Sequence, residues 1–193
     1  YGVKSQISNL SDGVRYSSES SDKMINYNSK LKMRTRIAPS PTGLFHIGTA
    51  RTALINFIVA KQHKGEFLLR MEDTDRVRNK PEYEEDIKNG LEWIGLNWDG
   101  EIISQKNRTK RYLEIVDELI QKKYAYTKDG AVWFAIPQGT IAFADCIRGN
   151  VSFDGSDLKD FVIVRSDGSP IFYLTGVVDD HDSAITHVIR GEE

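Results

Sequence analysis

The chain has 193 residues and a formal net charge of −2 at pH 7, from 26 Lys and Arg against 28 Asp and Glu. This balance excludes a uniformly basic nucleic-acid coat, although it allows a local basic patch. No apolar run approaches the roughly 20 residues of a membrane-spanning helix, and the single cysteine cannot form an internal disulfide. We therefore expect a protein of a reducing compartment, the cytoplasm, with no membrane contact.

The first 32 residues are rich in Ser, Asn and Asp and show no sustained hydrophobic period. Such a segment buries too little apolar surface to offset the entropy of ordering it. We therefore predict a disordered polar tail over residues 1–32. An organelle targeting sequence is the alternative, because serine is common in such leaders, although acids recur at Asp12, Glu19 and Asp22.

Hydrophobic patterning after the tail predicts alternating strands and helices. Strands are predicted at 34–38 and 67–71, and helices at 46–62, 82–94 and 107–124. Strands and helices that alternate with short connections form βαβ units. The fold class is therefore α/β, with a Rossmann-like doubly wound parallel sheet. The residues predicted to share an apolar face of the first helix are Ala50, Leu54, Phe57 and Ile58.

The pattern changes after Tyr126 to short apolar segments that glycine and aspartate separate. This texture is typical of a small antiparallel insertion, with strands predicted at 131–136, 140–144, 150–153 and 161–164. Residues 183–189 return to the character of a buried strand. We expect four regions, namely a tail (1–32), the first half of the α/β domain (33–126), the β-rich insertion (127–165) and a return to the α/β domain (166–193).

The turn between the first strand and the first helix has the features of a phosphate site. Residues 39–49 read PSPTGLFHIGT, so a strand enters a rigid turn and a helix starts at the carboxyl edge of the sheet, where such sheets bind ligands. The helix N-terminus offers free N–H groups to a phosphate. His46 can donate a hydrogen bond there, and Gly48 lets a ligand approach closely. A plain helix cap is the alternative.

This turn resembles the nucleotide-binding signature of class I aminoacyl-tRNA synthetases, in the form that the glutamyl-tRNA synthetases carry. Thr49 stands where the signature usually ends in histidine. The resemblance runs in order from about Arg34 to Glu193. Its further matching segments are ARTAL at 50–54, RMEDTD at 70–75, RSDGSP at 165–170, VVDDH at 177–181 and ITHVIRGE at 185–192.

The resemblance implies a class I synthetase fold whose insertion binds the tRNA acceptor end. It implies ATP-dependent activation of L-glutamate to glutamyl-adenylate and transfer to the 3′ end of tRNA, with Mg²⁺ accompanying ATP. The implied acceptor is tRNA-Glu, with tRNA-Gln left open, and a monomer is expected. Two alternatives remain, namely an enzyme resembling the glutamyl-queuosine tRNA-Asp synthetases and a non-catalytic fragment that binds glutamate or ATP.

Several family features are not found in this sequence. The cysteine-rich zinc element that many members carry near Tyr126 is missing, so we predict no zinc. The second, lysine-containing signature and the anticodon-binding region are also not found, so we expect an incomplete catalytic domain that is impaired on its own. The acidic run at 179–182 is interpreted as a cap and turn, because consecutive residues rarely converge on one metal ion.

The resemblance also assigns roles to single residues. It gives catalytic roles to His46, Gly48 and Thr49. The residues implied to bind ATP are Pro39, Thr42, Gly43, His46, Gly48 and Glu193. The residues implied to bind glutamate are Arg36, Ala38, Ser40, Glu72, Phe172, Gly176 and Arg190.

The chemistry of glutamate agrees with this assignment. Guanidinium groups bind carboxylates bidentately, so Arg36 and Arg190 suit the two carboxylates of glutamate, and Glu72 suits its ammonium group. Which arginine takes the side-chain carboxylate stays open, although the family favours Arg36. The family usually has tyrosine where Phe172 stands, and we expect that Tyr173 does not replace that hydroxyl, because neighbouring strand residues face opposite sides.

Overall fold

The computed structural model describes residues 32–75 and 77–191. The predicted tail, apart from Lys32, and the predicted ATP ligand Glu193 lie outside the described residues. The chain divides into two compact units. The described part of the first unit comprises residues 32–109 without Arg76, together with 182–191, and the second unit comprises residues 110–181. Within these described ranges, no helix has the length and apolarity needed to cross a bilayer.

The first unit contains a parallel sheet. Its strands β1 (Arg34–Ile37), β2 (Glu66–Met71) and β3 (Ile103–Ser104) lie in the order β1-β2-β3. Helix α1 (Ile47–Gln62) connects β1 to β2, and helix α2 (Pro81–Trp93) connects β2 to β3. The predicted strand–helix alternation and parallel pairing are thus confirmed for this unit.

The core of the first unit lies between this sheet and its helices. Phe67, Leu69 and Met71 of β2 are buried, as are Ile87 and Leu91 of α2. The spacing of these residues is the one that predicted a buried strand and an amphipathic helix.

The predicted apolar face of α1 is wrong in part. Leu54 and Ile58 are 45% and 42% exposed, whereas the buried residues of α1 are Ala53, Asn56 and Ala60. A helix with apolar residues on more than one side has no unique hydrophobic face, so periodicity alone does not select the buried one. The small side chains that face inward allow α1 to pack against β1 and β2.

The strand predicted at 183–189 is also wrong, because this segment is a loop. The N–H groups of Thr186 and His187 both donate to the carbonyl of Arg34, at 3.0 and 3.3 Å. The Arg34 N–H donates to Thr186 Oγ1 at 2.9 Å. A ladder requires pairing at successive residues along a strand, and here the backbone hydrogen bonds converge on one residue of β1.

The second unit combines two helices with two small antiparallel sheets. Strands β4, β5 and β8 form one sheet, and β6 and β7 form a hairpin. The bounds are α3 (Thr109–Gln121), β4 (Ala125–Lys128), β5 (Ala131–Phe134), β6 (Thr140–Asp145), β7 (Gly149–Asp154), β8 (Phe161–Val164) and α4 (Phe172–Asp182). The four strands predicted for the insertion are confirmed, and β4 was not predicted because it is short and mostly exposed.

Helix α4 corrects two expectations. Phe172 and Tyr173 lie in its first turn with ring centroids 3.9 Å apart, so they do not face opposite sides of a strand. Asp179 and Asp180 are buried near its C-terminal end, so the acidic run is not a cap and turn. A buried carboxylate needs a hydrogen-bond donor, and the hydroxyl of Tyr112 on α3 donates to both oxygens of Asp179, at 3.0 and 2.9 Å.

This buried hydrogen bond predicts a stability effect. Changing Tyr112→Phe is expected to lower the free energy of unfolding by about 1–3 kcal/mol, because the carboxylate of Asp179 stays buried with one donor fewer. Urea unfolding measures the change. The matched control is Tyr124→Phe, since Tyr124 is exposed just beyond the end of α3, and equal losses in the two variants would contradict the prediction.

Candidate active site

The loop that follows β1 is hydrogen-bonded to two other segments, one just after β2 and one just before α2. The N–H of Glu72, just past β2, donates to the carbonyl of Pro39 at 2.9 Å. The N–H of Lys80, which precedes α2, donates to the carbonyl of Pro41 at 3.2 Å. Because β1 and β2 are parallel, these contacts lie at the carboxyl edge of the sheet, where open α/β sheets bind ligands.

His46 is the N-cap of α1. Its backbone is extended, with φ −138° and ψ 168°, and its carbonyl accepts the first helical hydrogen bond from Ala50 N–H at 3.0 Å. Its Nδ1 accepts from the N–H of Gly48 at 3.2 Å, and its Nε2 lies 3.3 Å from Thr49 Oγ1. Since Nδ1 accepts a hydrogen bond, the neutral ring carries its proton on Nε2. His46 is therefore both the helix cap and a potential donor through Nε2.

Gly48 makes room for this ring. A Cβ built on Gly48 would lie 3.0 Å from His46 Cε1 and 3.1 Å from Nδ1, which is tighter than ordinary van der Waals contact. The motif alone predicts that this glycine allows a ligand to approach closely. The structure adds a second reason, because a larger residue would push the imidazole away from the helix N-terminus.

A hollow of about 270 Å³ opens at this helix end. This volume lies just below the roughly 300–1,000 Å³ of typical ligand pockets. The hollow is therefore large enough for part of a nucleotide. Six residues of the predicted site line it together with two that were not predicted. The lining residues are Pro39, Ser40, Thr42, Gly43, Leu44, His46, Thr49 and Ile87.

Charged groups beside the loop hold one another in place. The side chain of Arg70 is only 4% exposed, and its Nη2 donates to Glu72 Oε1 at 2.9 Å. Asp73 accepts from Ser104 Oγ at 2.7 Å and from the N–H of Lys106 at 2.9 Å. The side-chain hydrogen bond to Asp73 also raises the pKa of Lys106. Glu72 therefore has an ordered carboxylate on a charged framework, as a ligand for an ammonium group requires.

The two arginines predicted to bind the carboxylates of glutamate lie in different local surroundings. Arg36 is buried in β1. Arg190 is exposed and lines a second hollow of about 100 Å³, which Arg51, Thr52 and residues of the 189–191 segment also line. Arg36 lines neither of the two hollows, so the shared glutamate pocket stays a prediction.

A buried side chain of α1 holds the segment that carries Arg190. Asn56 is fully buried, and its Nδ2 donates to the carbonyl of Ile189 at 3.0 Å and to that of Thr52 at 2.9 Å. The residue before Arg190 is therefore anchored to the helix whose N-terminus forms the first hollow. Asn56 was not among the predicted site residues, because its partner lies 133 residues away in the sequence.

The remaining predicted glutamate ligands are distributed over both units. Ala38 is half-buried directly after β1 in the first unit. Phe172 and Gly176 belong to α4 in the second unit, where Phe172 is 56% exposed and Gly176 half-buried. Among the residues that the structure describes, no group of three or more His, Cys, Asp or Glu side chains is arranged to hold a metal ion.

A parallel βαβ unit with a histidine-capped helix at its carboxyl edge is the arrangement in which open α/β domains bind ligands. Residues 32–132 and 128–193 match the family described as tRNA synthetases class I (E and Q), catalytic domain. The chain belongs to this family and comprises part of its catalytic domain.

Relatives within the family narrow the class further. The chain is 48% identical over 160 residues to a glutamate–tRNA ligase 2 of Neorickettsia sennetsu, with 82% of the chain and 39% of the relative covered. It is 46% identical over 176 residues to a glutamate–tRNA ligase of Methylacidiphilum infernorum, with 85% and 40% covered. The crystal structure of a glutamate tRNA ligase from Elizabethkingia meningosepticum in complex with its amino acid matches with TM-score 0.77 and 31% identity, covering 84% of this chain and 44% of that one. The resemblance to glutamyl-tRNA synthetases is confirmed, and the chain spans about 40% of the length of these curated relatives.

Proposed function

We propose that the intact protein containing this chain ligates L-glutamate to tRNA with consumption of ATP. The observation that carries the proposal is the hollow at the N-terminus of α1. It is lined by residues that match the nucleotide-binding signature. The names of the two relatives described above, glutamate–tRNA ligases at 48% and 46% identity, support the choice of amino acid.

In this proposal, ATP binds with its phosphates at the N-terminus of α1. The free N–H groups and positive end of the helix attract the phosphates, and the Nε2 proton of His46 is placed to stabilise charge that develops there. Mg²⁺ enters with ATP as part of the substrate. Glu193 is proposed as a ribose ligand on the family resemblance alone.

Glutamate binds beside the phosphates through groups of opposite charge. Glu72, held by Arg70, is proposed to bind the ammonium group, and Arg36 and Arg190 the two carboxylates. Ser40 and Thr42 flank the hollow and suit polar contacts to either substrate. Ala38, Phe172 and Gly176 complete the proposed set of glutamate ligands on the family resemblance.

Two displacement steps then follow. An oxygen of the α-carboxylate of glutamate attacks the α-phosphorus of ATP. The bond between this phosphorus and the pyrophosphate oxygen breaks, so glutamyl-adenylate forms and pyrophosphate leaves. A hydroxyl of the terminal tRNA ribose attacks the activated carbonyl, and AMP leaves with the electrons of the broken bond. Catalysis here is positioning and charge stabilisation rather than covalent chemistry by the protein.

The division into regions follows from this function. We propose that residues 33–126 and 166–193 form the activation site and that residues 127–165 are the insertion that binds the acceptor end of tRNA. We further propose that the protein acts as a monomer in the cytoplasm. Its substrates are L-glutamate, ATP and tRNA-Glu, and charging of tRNA-Gln is to be measured alongside.

The experiment uses the intact protein with ATP, labelled glutamate and tRNA. Pyrophosphate exchange, with and without tRNA, measures activation, and labelled tRNA-Glu measures transfer. We expect transfer to tRNA-Glu and none to the matched control that lacks its 3′-terminal adenosine. Transfer only to tRNA-Asp with a modified anticodon base, or binding of ATP and glutamate without exchange, would contradict the proposal.

The isolated segment offers a further comparison. Residues 1–193 alone are expected to be severely impaired in transfer, since the chain spans about 40% of its relatives. Robust formation of glutamyl-tRNA by this segment would contradict that expectation.

A further inference from the structure

Helix α2 contacts the residue that directly precedes His46. The backbone N–H of Phe45 donates to Asp86 Oδ2 at 2.6 Å. A hydrogen bond to a carboxylate is shorter and stronger than one between neutral groups. The charge of Asp86 is also favourable where it lies, because Phe45 and His46 form the entry to the N-terminus of α1, the positive end of that helix.

The ring of Phe45 packs on the same helix. A Cβ built on Gly90 would overlap the ring atoms of Phe45, so the ring occupies the space that any larger residue at position 90 would need. Gly90 lies in the interior of α2, where glycine costs about 1 kcal/mol relative to alanine. A glycine at this position is explained by the close approach of Phe45.

Two more contacts place α2 against the same loop. Lys80 at the N-cap of α2 donates its N–H to Pro41, and Ile87 lines the hollow with His46. Asp86 and Gly90 stand four residues apart, so they share one face of the helix. This face, defined by Asp86, Ile87 and Gly90, is named the loop-bearing face.

We propose that Asp86 and Gly90 are positioning residues for the nucleotide site. They hold the backbone and ring of Phe45, and through this residue they set the position of the His46 ring at the N-terminus of α1. The proposal rests on the proposed function for its kinetic consequence. Neither residue is expected to touch a substrate.

The kinetic test uses the intact protein and pyrophosphate exchange in the presence of tRNA. Asp86→Ala is expected to raise the KM for ATP or lower kcat by roughly tenfold or more. The reason is that a small displacement of a reacting group lowers the reaction rate by up to about a hundredfold. The KM for glutamate is expected to stay unchanged. Asp86→Asn keeps a carbonyl oxygen as acceptor and is expected to recover most of the loss, and Glu92→Ala, an exposed site on the same helix, serves as the control.

The glycine has its own matched pair. Gly90→Ala is expected to impair ATP use in the same way, whereas Asn89→Ala at the exposed neighbouring position leaves it unchanged. An alanine normally stabilises a helix interior relative to glycine, so a loss at position 90 reports the contact with Phe45. Wild-type kinetics in both Asp86→Ala and Gly90→Ala, or equal rises in the KM for ATP and for glutamate, would overturn the proposal.

A second readout does not depend on activity. In NMR spectra of the intact protein, Asp86→Ala is expected to move the Phe45 amide proton upfield and to shift the His46 ring protons, while Glu92→Ala leaves both unchanged. If the wild-type protein forms no adenylate, the proposed function fails and these spectra still decide whether α2 positions His46. Unchanged His46 resonances in Asp86→Ala would overturn the positioning role.

Discussion

Replacing His46 by alanine in the intact protein is expected to slow adenylate formation about a hundredfold, the scale of one lost electrostatic donor. The Nδ1 of His46 accepts from the N–H of Gly48 and its Nε2 lies 3.3 Å from Thr49 Oγ1, so the Nε2 proton is proposed to turn from this hydroxyl to a phosphate oxygen when ATP binds. Single-turnover formation of glutamyl-adenylate with tRNA present measures the effect. An unchanged rate would remove His46 from its proposed role.

Two variants separate the role of His46 as donor from its role as cap. Asparagine is a good N-cap residue, so His46→Asn is expected to keep the helix start and still lose most of the rate. His63→Ala is the matched control, since His63 is an exposed histidine at the other end of α1. If His46→Asn restored the wild-type rate, capping alone would explain the role of His46.

The parallel sheet of the first unit, helix α2 and the start of α1 were predictable because their signals are local. The apolar run of β2, the spacing of Ile87 and Leu91 in α2 and the turn residues before His46 each follow from a short window of sequence. Parallel pairing followed from the alternation of strands and helices. These local rules agree with one another in this part of the chain, so the prediction needed no long-range information.

Two of the errors occurred where a distant partner decides the structure. Residues 183–189 have strand-like composition, yet their hydrogen bonds go to Arg34, about 150 positions away in the sequence. The carboxylate of Asp179 is buried on a helix, where the hydroxyl of Tyr112, 67 residues earlier, donates a hydrogen bond to it. Periodicity carries no record of either partner, so a strand and a turn were the expected outcomes.

The site shows the same limit. The signature residues Ser40, Thr42 and His46 line the hollow and were found from a contiguous motif. Asp86 and Asn56 were not found, because each acts on a residue far away in the sequence. Gly90, a glycine inside a predicted helix, was a local signal for the loop-bearing face. The reason for a glycine there is the ring of Phe45 that packs against it, and this contact is not visible in the local sequence.

The second large effect is expected at Arg190. Arg190→Ala in the intact protein should raise the KM for glutamate about a hundredfold, since losing one partner of a hydrogen-bonded charge pair costs about 2–5 kcal/mol. The KM for ATP should remain unchanged. Pyrophosphate exchange at varied glutamate measures both constants, and Arg111→Ala is the control, because Arg111 forms a surface ion pair with Glu114 on α3, and such pairs contribute little.

Comparing glutamate with glutamine as substrates tests which carboxylate Arg190 binds, if it is the glutamate ligand that we propose. If Arg190 binds the α-carboxylate, which both amino acids have, then Arg190→Ala weakens both equally and leaves their ratio unchanged. If Arg190 binds the side-chain carboxylate, Arg190→Ala lowers the preference for glutamate over glutamine, whereas Arg36→Lys leaves that preference unchanged. The family resemblance favours Arg36 for the side-chain carboxylate, so we expect the ratio to stay unchanged. An unaltered KM for glutamate in Arg190→Ala would exclude Arg190 from the site.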